Sequence, residues 1–341
     1  MVRLKDIAER VGVSISTVSR VIQNDSSRNV NPEIKRKVWM AVKEMGYTPN
    51  ENARRLVYSS EEKKRQTKRI GWLANPRIAN ENPYFSKIFI GISETLNKAG
   101  YSLLLLHSDD LEEENQFQRM VREKEIEGIL LVDPVRKETL AELKKWIPVV
   151  GVDFNYSDHS LSVVDYDREE AAWKGVEHLV SKGHTRIGFI GGGVDGDLHL
   201  EKRFKGYLKA MREFGLEINE KFIVDTEWYL ERSYEWLKMT IEQSDGDLPT
   251  GFLCASDLLA IAAMRAVQEK GLSIPDDVAF VGIDNNDLAQ YVVPALTTIS
   301  IPQYEMGVVA AKALLNLIAE ESDRIDLKTF VATELIIRKS T

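Results

Sequence analysis

Five polar residues stand directly behind short apolar runs: Asn75 after IGWLA, Asp133 after GILLV, Asp153 after VVGV, Ser256 after GFLCA and Asp284 after VAFVGI. If those runs are strands of an open α/β sheet, the five lie just past the carboxyl ends, where such sheets bind their ligands. Carboxylates and amides placed there can accept hydrogen bonds from several hydroxyls at once. Phe85 and Trp228 could stack on the apolar face of a pyranose ring, so the chemistry on offer is sugar recognition. Each residue also has a plainer reading: Asp153 could bond across strands, Trp228 could be core, and Asp257 beside Ser256 could cap the next helix.

A second group lies near the N-terminus, in LKDIAERVGVSISTVSRVIQ. Ile7, Ala8 and Val11 repeat at helical spacing, Gly12 interrupts, Ser14 can cap a new start, and Val18 and Val21 continue an apolar face on a second helix. This is a helix-turn-helix pattern, with Val13 able to plug the core between the two helices. A third helix fits Pro32 to Met45, with Asn31 as N-cap and Gly46 as stop; Val38, Ala41, Val42 and Met45 form its inner stripe. The outward face of the second helix carries Ile15, Ser16, Ser19 and Arg20, short side chains with one long cation, as a helix in a major groove requires. Arg20 could take a guanine edge bidentately, Ser14, Thr17 and Ser19 could bond phosphates, and Ile15 and Ser16 could set the base preference. A small three-helix bundle with solvated hydroxyls is the competing explanation.

The chain that must position these groups has 341 residues, enough for two or three domains, and 43% of them are apolar. No apolar stretch reaches the roughly 20 residues that cross a bilayer, and the N-terminus carries no apolar signal core. The single Cys254 cannot form an internal disulfide and reads as a small buried hydrophobe, which fits the reducing cytoplasm. The net charge of −8 is unevenly spread: residues 1–69 hold 16 Lys or Arg against 8 Asp or Glu, leaving the remainder strongly acidic. A basic head on an acidic body points to a nucleic-acid module joined to something else, because cations gain by displacing counterions from phosphates.

From Arg69 onward, short apolar runs alternate with amphipathic helices, one near Ser86 to Ala99 and another near Glu112 to Glu125, which predicts parallel α/β sheets. RIGWLA at 69 and RIGFIG at 186 look like the openings of two equivalent halves, each doubly wound, with a cleft between them. Gly191, Gly193 and Gly196 satisfy GxGxxG after a predicted strand, so a dinucleotide enzyme must be weighed. Against it, the acid expected about 20 positions on is not well placed, since Asp225 comes 29 after Gly196. The five histidines show no metal-ligand spacing, and neither a Gly-x-Ser-x-Gly elbow nor a P-loop appears. Neither catalysis nor a cofactor or metal is expected.

On LKDIAERVGVS, TVSRVI and GYTPNENARRL, and through nearly all of its length, the sequence resembles the lactose-repressor/galactose-repressor family of bacterial transcription regulators. The loop from Gln23 to Val30 is two residues longer than in the lactose repressor. The resemblance implies a hinge helix in NENARRLV that pairs with a partner's in the minor groove, Asn50 and Ala53 lying along it and Leu56 wedging into the central base step. So short a helix does not recover its nucleation cost alone, so it would need DNA or a partner to form. The charged YSSEEKKRQTK that follows reads as a linker.

For the body, the resemblance implies the fold of periplasmic sugar-binding proteins. Arg203 in RFKGY matches the family's Arg-x-x-Gly motif, whose arginine reaches the ligand; Trp228, Ser256 and Asp284 match positions lining the effector site. Many members carry a glutamine where this chain has Ile301, although Gln303 lies two residues on. ANPRIANENPYFSKIF most resembles the branch of galactose and galactoside regulators.

The expected organisation is therefore an all-α helix-turn-helix head at 1–49, a hinge and linker at 50–68, an N-terminal effector subdomain at 69–163 plus 300–332, and a C-terminal one at 164–299 plus 333–341. The expected function is a cytoplasmic, non-enzymatic repressor that binds near-palindromic operator DNA as a homodimer and is released by a small carbohydrate, with no membrane partner. Two rivals remain: a regulator of the same fold whose catabolite or nucleobase signal strengthens DNA binding, and a sugar-binding module with a vestigial head.

Overall fold

The computed structural model describes residues 2–23, 30–45, 47, 67–74, 83–106, 120–121, 125–133, 135–153, 161–244, 247–319 and 325–341. It divides into two compact units, Met1–Arg65 and Gln66–Thr341. The expected hinge residues Asn50, Ala53 and Leu56, the candidate Asn75, the loop at 24–29 and most of the helix expected near Glu112 lie outside the described residues.

In the first unit, α1 (Leu4–Val11) ends on Gly12, whose φ of 74° is left-handed and whose N–H returns to the Ala8 carbonyl. That reversal starts α2 (Ile15–Gln23), and Ser14 Oγ accepts the Thr17 N–H at 3.1 Å as its cap. Asn31 Oδ1 caps α3 (Pro32–Met45) by accepting the Glu33 N–H at 2.8 Å. Ile7, Ala8, Val18, Val21, Val38 and Ala41 are buried together, and Val13, Val42 and Met45 pack against them. Burying each large apolar side chain contributes about 1.5–3 kcal/mol, which holds three short helices that would not persist singly.

The second unit contains two six-stranded sheets. Sheet 1 comprises β1 (Arg69–Leu73), β2 (Ser102–Leu106), β3 (Gly128–Leu131), β4 (Val149–Val152), β5 (Ser162–Tyr166) and β11 (Lys328–Val331), in the order β11-β5-β4-β3-β1-β2, all parallel. Sheet 2 comprises β6 (Ile187–Gly191), β7 (Ile223–Asp225), β8 (Gly251–Cys254), β9 (Ala279–Asp284), β10 (Thr297–Ser300) and β12 (Glu334–Ile336), in the order β12-β10-β9-β8-β6-β7. Strands buried on both faces explain the unbroken apolar runs: β3, β4, β5, β6, β8 and β9 are buried at every position.

The intervening helices are α4 (Pro83–Lys98), α5 (Lys137–Trp146), α6 (Arg168–Ser181), α7 (Lys202–Glu213), α8 (Leu230–Gln243), α9 (Asp257–Glu269) and α10 (Gln303–Ala319). The helix expected from Ser86 thus starts three residues earlier, at Pro83, whose fixed φ suits a first helical position. The chain leaves sheet 1 after Tyr166, returns after Ser300 as α10, and crosses again after Val331. Helix α10 packs on α4 through glycines: a Cβ on Gly91 would lie 2.1 Å from the Tyr304 carbonyl oxygen, and one on Gly307 2.1 Å from that of Ile88.

One edge departs from the expected parallel pattern, because β12 runs antiparallel to β10. The chain leaves the carboxyl end of β11 and enters sheet 2 at the end where its other strands finish, so the new strand must run against them.

Candidate functional site

In the head, α2 turns Val18 and Val21 inward and leaves Ile15 48% exposed with Ser16 beside it. Ser14 Oγ lies 2.8 Å from both Ser16 Oγ and Thr17 Oγ1, so three hydroxyls gather at the helix N-terminus, the end that favours a phosphate. Thr17, Ser19 and Arg20 are half-buried rather than fully outward, which leaves Ile15 and Ser16 as the most open positions of the outward set.

In the body, the strand ends carry the polar residues anticipated there, and the backbone is bent to present them. Asp153, Trp228, Asp284 and Asn285 adopt φ of 53°, 65°, 112° and 54°, a region non-glycine residues rarely enter and one that concentrates at ligand sites. Asp153 neither stays solvated nor bonds across strands with its side chain. Its Oδ1 accepts the Tyr84 hydroxyl at 2.7 Å and pairs with Arg168 Nη2 at 2.7 Å. Arg168 also donates through Nε to Asp165 Oδ2 at 3.3 Å, through Nη2 to Asp165 Oδ1 at 3.1 Å, and through Nη1 to Tyr166 Oη at 3.2 Å.

Tyr166 Oη then accepts Arg203 Nη1 at 3.4 Å. Arg203 donates through Nε to Glu201 Oε1 at 2.8 Å and through Nη1 to the Ala255 carbonyl at 3.0 Å, and its guanidinium lies 4.6 Å over the Trp228 ring. Trp228 is 40% exposed, so it is not core, and its indole N–H reaches the Gly193 carbonyl at 3.3 Å. A continuous polar chain thus runs from Tyr84 on α4 to Trp228 in the loop between β7 and α8.

Burial dominates the titration of this chain. It pushes the Tyr84 hydroxyl well up, with the Asp153 charge adding to it, and raises Asp165 despite the opposing guanidinium of Arg168. Burial alone would lower Arg168, but Asp153 and then Asp165 outweigh it and hold the guanidinium charged.

Asp284 is 7% exposed and its titration is linked to that of the fully buried Asp257 nearby. Asp257 does not cap α9, as the plainer reading had it: its Oδ1 accepts the Thr298 hydroxyl at 2.6 Å and its Oδ2 the Asn286 N–H at 2.7 Å. Ser256 is the cap, its Oγ accepting the Leu259 N–H at 3.3 Å. Burial, then the Asp257 charge, pushes Asp284 well above the carboxylate range, and its buried Oδ1 has no partner among the described residues. The Gln303 side-chain amide donates to the Asp284 carbonyl, while Ile301 is buried.

Asp133 is buried at the end of β3, and Phe85 is half-buried, edge-on to Tyr84 at 5.0 Å between centroids. Tyr84, Asp165, Tyr166, Arg168, Glu201 and Asp257 were not anticipated as site residues. One signal could have flagged Arg168: it opens a helix, where the dipole disfavours a cation. A second lay in Asp165, the one charged residue of a fully buried strand.

The glycine fingerprint does not form a dinucleotide cradle. Gly193 donates its N–H to Asp225 Oδ1 at 2.9 Å, Gly192 backs onto Trp228, and the chain passes through a 3-10 turn at Leu198–Leu200 before α7 begins. A carboxylate occupies the amide that would have to face a pyrophosphate. Among the described residues, no cluster of three or more His, Cys, Asp or Glu could hold a metal, and no helix is long and apolar enough to cross a membrane.

Comparison with known proteins matches residues 3–50 to "Bacterial regulatory proteins, lacI family" and residues 176–341 to the periplasmic binding protein-like domain. The chain is 31% identical to the HTH-type transcriptional repressor PurR of Photobacterium profundum, covering 100% of this chain and 98% of that protein. It is 33% identical to the HTH-type transcriptional regulator RegA of Clostridium saccharobutylicum, over 99% and 98% of the two chains. The lac repressor dimer bound to operator and the anti-inducer ONPF superposes with a TM-score of 0.76 at 23% identity, over 99% and 98% of the chains. The CelR–cellobiose complex does so at 0.70 and 24%, over 100% of both chains. These curated relatives are PurR and RegA regulators and do not single out the galactose branch suggested by residues 74–89. With a helix-turn-helix head joined to an effector-binding body and matched to such relatives from end to end, the chain belongs to the lacI family of bacterial DNA-binding transcriptional regulators, a family without enzymatic activity.

Proposed function

We propose that this regulator is a repressor of a sugar-utilisation operon, binding a near-palindromic operator as a dimer and released by a small carbohydrate, with a galactoside as the first candidate. The observation carrying the effector class is Arg203 held over the half-open face of Trp228 while Asp284 keeps a buried oxygen unpartnered in the same cleft. An aromatic face beside fixed acceptors is what a hydroxylated ring requires. The CelR–cellobiose complex supports the class, and the lac repressor–operator complex supports the dimer.

Effector binding between the sheets would shift the sheet 1 subdomains of a dimer and separate the expected hinge helices, a coupling that for such switches amounts to about 1–3 kcal/mol. A gel shift with a palindromic operator, run with and without galactosides, glucosides and cellobiose, tests this; loss of the complex with one of them is the expected result, and indifference to all overturns it. Full-length similarity to the PurR repressors favours a second reading, in which the ligand strengthens the complex. The same gel decides between them by the sign of the shift.

A further inference from the structure

Arg168 sits where its charge is disfavoured. It is the first residue of α6, and its side chain is 3% exposed. Such a cation persists only if carboxylates and acceptors surround it, and here there are three: Asp153 past the end of β4, and Asp165 and the Tyr166 hydroxyl, both on β5. Asp153 receives both Arg168 and Tyr84 on the same oxygen, Oδ1, and no described residue occupies Oδ2.

The second buried guanidinium of the cleft, Arg203, is likewise matched, by Glu201. The neighbouring Lys202 is half-buried and faces the same Asp165. An anionic ligand would therefore meet arginines already matched by Asp153, Asp165 and Glu201. A hydroxyl would meet acceptors.

We propose that Arg168 is a specificity-determining positioning residue: it holds Asp153 with Oδ1 occupied and Oδ2 offered, so the cleft selects an uncharged polyhydroxylated effector that donates a hydroxyl there and excludes phosphorylated or carboxylated ones. This rests on the carbohydrate reading above and narrows it. Arg168 acts through Asp153 and need not touch the ligand, so its loss should change which hydroxyl matters rather than weaken every ligand alike.

The test is calorimetric titration of the full-length protein with methyl β-galactoside, methyl β-glucoside, cellobiose, the 6-phosphates of the two methyl glycosides, and hypoxanthine, followed by the monodeoxy analogues of the tightest neutral sugar. Neutral sugars should bind at least about tenfold more tightly than their phosphates, and one monodeoxy analogue should lose about tenfold or more, the worth of a hydrogen bond to a charged acceptor. In Arg168→Lys that particular penalty should shrink to about threefold or less while the other analogues keep theirs. Asp153→Asn, which retains an acceptor for Tyr84, carries the same test if the arginine variant unfolds. Uniform weakening of all analogues, or an unchanged penalty in both variants, overturns the positioning role while leaving a carbohydrate regulator intact. Equal binding of the phosphates overturns the charge filter. Hypoxanthine binding with no sugar binding, or no binding at all, overturns the carbohydrate reading and this inference together.

Discussion

Lys87 Nζ lies 2.6 Å from Asp287 Oδ1, joining α4 on sheet 1 to the 3-10 turn that follows β9 on sheet 2 across 200 residues of sequence. The Lys87 and Asp287 side chains are 38% and 71% exposed, so the pair is worth about 0–1 kcal/mol and is screened by salt. Lys87→Ala should therefore change effector affinity by no more than about fivefold, with the difference vanishing near molar salt. Titration at two ionic strengths checks this; a large, salt-independent change would mean that the pair does more than latch a solvated rim.

Glu201 and Arg203 should behave in the opposite way. Glu201 is fully buried, its Oε1 taking Arg203 and its Oε2 the Phe204 N–H that caps α7. Removing one partner of such a pair strands the other charge, at a cost of about 3–5 kcal/mol. Glu201→Gln should lower the urea midpoint of the body accordingly, and a loss under about 1 kcal/mol would show that Tyr166 and Ala255 suffice to hold the guanidinium.

The Asp257–Asp284 pair makes the stability of the body depend on pH. Burial pushes Asp257 up to about 6 and Asp284 well above its ordinary value, partly offset by Thr298 and Asn286 on the former and by Arg203 on the latter, with Arg338 nearby. An acid whose folded pKa is raised binds its proton more tightly when folded, so its contribution is complete below the unfolded value near 4 and is lost as pH rises through about 6 and beyond. Asp284→Asn removes one of the two buried acids that must ionise, so its denaturation midpoint should fall less between pH 4.5 and pH 7 than that of the unmodified chain. Parallel pH profiles for the two proteins would refute this linkage.

Two substitutions separate folding from reading in the head. Ser14→Ala removes the α2 cap and should cost about 1 kcal/mol of head stability, seen as an earlier first transition on heating. Arg20→Ala should instead leave that transition in place and reduce discrimination among single-base operator variants by about 1–3 kcal/mol at one position. Unchanged discrimination would favour a vestigial head.

Local pattern made much of the fold legible. The three head helices, Gly12 as their turn, and Ser14 and Asn31 as caps follow from short-range spacing and hydrogen bonding, and α3 spans the residues its N-cap and apolar stripe predicted. The strand cores were equally plain, because a strand covered on both faces is an apolar run whatever its neighbours. The antiparallel β12 was not, since its direction depends on where the chain leaves β11 and enters sheet 2.

Of the candidate cleft, local pattern alone places Asp133, Asp153 and Asp284 at strand ends, because the apolar runs stop there; Trp228 is offered by its aromatic ring as well as by resemblance, and Arg203 by resemblance. What those groups bind depends on contacts between segments far apart in the chain. Tyr84 is 69 residues from Asp153, and Arg203 is 52 from Ala255; which of them share a proton or a charge is set by which loops the two sheets bring together. Arg168 is the clearest case, because a cation opening a helix is locally unfavourable and becomes tenable only where Asp153, Asp165 and Tyr166 converge on it. Hydrogen-bond partnership in a buried cleft is a property of distance in space, and a one-dimensional pattern with periods of about 2 and 3.6 residues carries no measure of it.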